Sequence, residues 1–135
     1  MSVIVTDSGF AAPPAGEAFV PLAERAHHHG ALDLASSDDP ALLADALPEL
    51  HLIRVLFPSF SDGRGFTIAR RLREMGYAGR LRACGHVLAD QYAMARRVGF
   101  DEVEISDDLA ARQPADQWRA RADWQAHDYQ SRLRG

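Results

Sequence analysis

Asp62-Gly63-Arg64-Gly65 sets a carboxylate and a guanidinium among glycines, where an apolar strand-like run gives way to a helical pattern. Glycines let a backbone come close, the first turn of a helix offers unpaired amides, and an arginine fork matches phosphate, sulfate or carboxylate. The competing reading is a tight turn, with Asp62 capping the helix and Arg64 in a structural ion pair. The residues alone leave both open. The segment lacks the Gly-x-x-x-x-Gly-Lys-Ser/Thr phosphate loop, and Gly63-Arg64-Gly65 is no dinucleotide fingerprint. Ser59 sits on the same loop. A second loop, Gly85-His86, leads into a helical pattern carrying Asp90-Gln91 about one turn in. His86 is placed for acid–base work or is an ordinary exposed loop residue. Asp90 and Gln91 are either solvated or aimed at the same edge.

Those loops matter if parallel strands bring them together, because ligands bind beyond the carboxyl ends of such strands. Leu52–Phe57 is the strongest strand, nearly all apolar, as suits a central parallel position. Ala31–Leu34, Arg80–Cys84 and Glu102–Ile105 are shorter candidates. Between them the pattern predicts a helix capped by Asp39 with Pro40 first and Pro48 as its stop. A second, with Asp62 as its cap, runs through Met75 on an apolar face of Phe66, Ile68, Ala69, Leu72 and Met75. A third covers Val87–Val98. Two exits match, Arg73-Glu74-Met75-Gly76-Tyr77 and Arg96-Arg97-Val98-Gly99-Phe100, each a glycine C-cap followed by an aromatic ring. The expected fold class is α/β: a small, mostly parallel sheet of about four strands with right-handed βαβ crossovers, open or half-barrel-like, plus a C-terminal helical tail. Residues 1–30 read as an irregular N-terminal segment with a short helical piece at Leu22–Ala26. Residues 31–110 read as the core, and 111–135 as the tail. In that tail Trp118, Ala122 and Gln125 share one side and Trp124 another, a poor core stripe. The tryptophans are partner anchors or tail packing.

The composition, 47% hydrophobic and 25% charged, is that of a globular chain. A net charge of −4 argues against a nucleic-acid partner. All fifteen basic residues are arginine, so Schiff-base or lysine-nucleophile chemistry is excluded. Cys84 is the one cysteine, which rules out an internal disulfide and an iron–sulfur cluster held by this chain. It reads as a small buried hydrophobe. His27-His28-His29 has no carboxylate or thiolate set at matching spacing, so no metal site is expected. With no signal-like N-terminus and no long apolar run, the expected location is the cytoplasm, with no membrane partner.

Phe57-Pro-Ser-Phe-Ser-Asp-Gly-Arg-Gly-Phe-Thr-Ile-Ala-Arg-Arg-Leu-Arg resembles a bacterial family, domain-of-unknown-function 934. The likeness continues through Gly85-His-Val-Leu-Ala-Asp-Gln and Arg96-Arg-Val-Gly-Phe-Asp-Glu-Val-Glu-Ile. It takes in Asp38-Asp39-Pro40, ends near Tyr129-Gln130, and covers about residues 20–130. The resemblance implies a context, assimilatory sulfite reduction beside a sirohaem sulfite reductase, and no activity. The expected function is therefore an accessory or partner protein of that haemoprotein, itself non-redox and without a cofactor. It would use Ser59, Asp62, Gly63, Arg64, Gly65, His86, Asp90 and Gln91. The alternative is a small enzyme or binding domain for an anionic sulfur or phosphate compound. An unpaired sheet edge also leads one to expect a homodimer or hetero-complex.

Overall fold

A computed structural model describes residues 1–124, so the readings placed on Gln125 and on Tyr129-Gln130 lie outside the described residues. The sheet has seven strands: β1 (Ser2–Thr6), β2 (Gly9–Ala11), β3 (Val20–Pro21), β4 (Ala31–Leu34), β5 (Leu52–Phe57), β6 (Arg80–Gly85) and β7 (Glu102–Ser106). Their order is β2-β1-β7-β6-β5-β4-β3. Strands β3 to β7 run parallel in chain order, and the β1–β2 hairpin joins β7 antiparallel. The fold class is the expected α/β one with a mostly parallel sheet. The number of strands is corrected from about four to seven, and the N-terminal segment is no irregular appendage. Val3-Ile4-Val5 pairs with Val103–Ile105 across the length of the chain. The sheet ends in β2 and β3, which are not bonded to each other.

Alternation along the strands divides the two faces. Leu32, Leu34, Ile53, Val55, Phe57, Leu81, Ala83, Val103 and Ile105 belong to one apolar cluster with the connecting segments. That cluster includes Leu43 and Leu47 before β5. It also takes Ile68, Ala69 and Leu72 of α1 (Arg64–Glu74), and Tyr92, Ala95 and Val98 of α2 (Tyr92–Val98). Chain-order strands return every connection over the same side, so the opposite side receives no helix. It carries Asp33, Arg54, Arg82, Glu102 and Glu104 instead, in matching register. Arg54 holds Asp33 and Glu104, whereas Arg82 holds Glu17, Glu102 and Glu104. Cys84 lies on this side, half-buried. Burial, with help from Glu104, pushes its thiol up to about 11, so it stays protonated near neutral pH.

The two matching exits share their chemistry in full. Gly76 and Gly99 have φ of 97° and 118°, the left-handed region that favours glycine. The next amides, of Tyr77 and Phe100, reach back to Leu72 O and Ala95 O, closing both exits in the same way. Arg73 donates to Tyr77 O at 2.9 Å, and Arg96 donates to Phe100 O in the equivalent place.

Three segments depart from the expected helices. The one capped by Asp39 is two short 3-10 turns, Pro40–Leu43 and Leu47–Glu49, with Pro48 inside the second rather than after the first. Asp39 does accept from Ala41 N, at 3.0 Å. The helix expected from Val87 begins as a 3-10 turn at Ala89–Gln91, and only α2 is α-helical. After β7 come α3 (Asp107–Arg112), which straddles the expected boundary at 110, and, in the tail, α4 (Ala115–Arg119). Trp118 of α4 is fully buried edge-on against Tyr92, so this part of the tail is core. Among the described residues no helix is long and apolar enough to cross a membrane.

Candidate functional site

Parallel register puts the ends of β5, β6 and β7 on one edge, and the loops after them meet there. Phe57 and Gly85 are register partners, and His86 N donates to Phe57 O at 3.0 Å. Gly85 has φ of 115°, and a Cβ there would sit 2.6 Å from the Phe57 carbonyl oxygen. Glycine is thus required twice over, by conformation and by space. Gly85→Ala should cost about 1–3 kcal/mol from backbone strain alone, measured by denaturant unfolding.

Asp62 and Arg64 bond to each other. The Asp62 carboxylate accepts from Arg64 N at 3.1 Å, from Nε at 3.0 Å and from Nη2 at 2.7 Å. The Arg64 side chain and backbone N–H hold the Asp62 carboxyl well below the usual carboxylate range. Arg64 Nη2 also donates to Ser36 Oγ at 3.0 Å, tying this loop to the one after β4. Gly63, not Asp62, is the N-cap residue of α1, and Asp62 serves the first helical amide from one position earlier. Gly65 is buried under the Phe57 ring, which a Cβ there would strike, whereas Gly63 faces open space. Ser59 is exposed, its hydroxyl 3.3 Å from that of Ser61.

Gln91 links the two loops. Its Oε1 accepts from Leu88 N at 2.8 Å, and its Nε2 donates to Phe60 O at 3.1 Å. The Phe60 ring meets His86 edge-on at 5.1 Å. His86 Nδ1 lies 3.3 Å from Phe57 O. Asp90 turns the other way and pairs with Arg121 at 2.8 Å. The edge therefore gathers Ser59, Asp62, Gly63, Arg64, Gly65, His86 and Gln91, and Asp90 is not among them.

Beside these residues is a cleft of about 350 Å³ lined by Phe60, Gly85, His86, Ser106, Asp108, Leu109 and Arg112. Ser106 caps α3 by accepting from Leu109 N at 3.2 Å. Gln113, just past α3, accepts from Ala89 N at 2.7 Å and so ties this wall to the β6 loop. Phe60 and the whole α3 wall were absent from the residues selected by sequence. The available signal was Ser106-Asp107-Asp108 after a strand, a cap residue with acids in the first turn. Among the described residues no group of three or more His, Cys, Asp or Glu side chains is arranged to hold a metal ion.

The model of a bacterial protein family of unknown function, DUF934, matches residues 31–135. The chain belongs to that family. In this DUF934 protein the matched region begins at β4 and includes every wall of the cleft, whereas β1, β2 and β3 precede it. No curated protein and no solved structure matches the chain.

Proposed function

We propose that this DUF934 protein is a non-redox accessory protein of an assimilatory sirohaem sulfite reductase, docking in the cytoplasm through its strand-end edge. The observation that supports docking best is Phe60. It is 41% exposed, yet its ring rests on His86 and its carbonyl is held by Gln91. An aromatic anchor fixed before binding loses little freedom on association, and such residues dominate interface energies. The alternative, a site for an anionic sulfur or phosphate compound at the glycine loop, is less favoured. Arg64 spends its Nε and Nη2 on Asp62, and an incoming anion would have to displace that carboxylate. A second copy is not needed to cover the sheet edges, because the outer strands are three and two residues long and β3 contains Pro21.

The test is co-elution of the tagged protein with the haemoprotein from native cells. Phe60→Ala should weaken docking by about 2 kcal/mol, roughly thirtyfold, with little change in melting temperature. Arg64→Ala and Arg64→Lys, at an arginine whose own side chain is exposed, should also leave the fold intact. Failure of the wild-type protein to retain any haemoprotein would remove the reading, and full retention by Phe60→Ala would move the docking surface elsewhere.

A further inference from the structure

The α3 wall of the cleft carries two charges of opposite sign that the docking reading leaves unused. Asp108 and Arg112 are one helical turn apart and both line the cleft. An acid four residues before a base is the spacing that ordinarily pairs on a helix. Here neither has a hydrogen-bond or ion-pair partner among the described residues. That is unusual for an arginine in this protein. The other described arginines reach a carboxylate or a carbonyl, with Arg70 the exception.

A ligand with a negative charge alone would meet Arg112 but face Asp108, and one with a positive charge alone would face Arg112. A ligand carrying both charges a few ångströms apart satisfies the pair. The remaining walls are Phe60 and Leu109, which are apolar, with the Gly85 backbone and the His86 imidazole beside them. Ser106 uses its oxygen to cap α3, so its hydroxyl proton is free to donate. A volume of about 350 Å³ falls in the range of small-molecule sites.

We propose that the cleft binds a small zwitterion, an α-amino acid with an apolar side chain. Its carboxylate meets Arg112, its ammonium meets Asp108, and its side chain lies between Phe60 and Leu109. This goes beyond the docking reading and stands without it, since it concerns the isolated protein.

The experiment is calorimetric titration of the full chain, first with L-leucine and then with each common amino acid. Isocaproate and isoamylamine, which lack the ammonium and the carboxylate respectively, serve as controls. At least one apolar amino acid should bind saturably below about 10 mM, with each control weaker by about tenfold or more. Asp108→Asn and Arg112→Gln should each lose about tenfold in affinity without a change in melting temperature. The proposal is overturned if no amino acid binds in that range, if isocaproate binds as well as leucine, or if both variants bind like the wild type. Haemoprotein co-elution is read separately, so failure of either idea leaves the other standing.

Discussion

Arg82→Ala should lower folding stability by about 3–5 kcal/mol, because it strips the shared cation from three carboxylates in the middle of the sheet. The Arg82 side chain is 1% exposed and reaches Glu102 at 2.6 Å, Glu17 at 2.8 Å and Glu104 at 3.0 Å. Lysine should recover little, since one ammonium cannot copy a fork shared among carboxylates from two elements. Acid titration gives a second readout. Burial pushes the Glu104 carboxyl up, but hydrogen bonds from Ser2, Arg54 and Arg82 outweigh it and hold its pKa below the ordinary 4.5. A carboxyl depressed in the folded state contributes stability that is fully present above its unfolded pKa. That contribution is lost as pH falls through the folded pKa. The wild type should therefore lose stability below about pH 5, and Arg82→Ala should show a shallower acid slope. A loss under about 1 kcal/mol at neutral pH, measured by denaturant unfolding, would show that the carboxylates find other partners.

How much of this was legible depends on whether the cause was local. β5 announces itself because six consecutive residues are apolar or covered on both faces. The two glycine–aromatic exits do so because a left-handed residue and its neighbours close the turn among themselves. β1 is different: Ser2 pairs with Ser106, and nothing between them marks that partnership. β3 is two residues long, too short for any period. Asp90 lies away from the edge for a geometric reason. A 3-10 turn advances three residues per turn rather than 3.6, so the side chain expected at the edge rotates toward Arg121. The loop Asp62–Gly65 was recognisable as chemistry, but sequence left open whether Arg64 was free. Its bonds to Asp62 decide that, and they shift interest to Phe60, which lies inside the family motif without an assigned role, and to Arg112, which no motif marks.

The second large effect concerns residues 12–19, which join strands at opposite ends of the sheet. From β2 to β3 the order takes six strand spacings, about 29 Å at the usual separation. The chain from Ala11 to Val20 has nine steps, about 30–32 Å when fully extended. The helices occupy the apolar side, so the crossing runs over the charged side, where the segment is pinned at two points. Glu17 sits on Arg82, with Arg80 3.5 Å away, and the Phe19 ring covers the Arg54 guanidinium at 3.9 Å. Pro13 and Pro14 suit an extended crossing that asks for no ladder hydrogen bonds. Ala15 and Gly16 form a turn, with Gly16 at φ 82°, so the crossing is not drawn out to its full length. Deleting them removes that turn and about 7 Å of contour, and shifts Glu17 relative to Arg82. Either β3 must leave β4 or Glu17 must leave Arg82, and the loss should be about 3 kcal/mol or more through the same buried ion cluster. Hydrogen exchange at β4 should rise with it, because Val20 and Pro21 no longer cover that edge. Adding two glycines at the same point should cost less than about 0.6 kcal/mol, since slack in a loop is cheap. A protein equally stable to deletion and insertion would mean that the turn at Ala15 and Gly16 is not needed to keep Glu17 on Arg82.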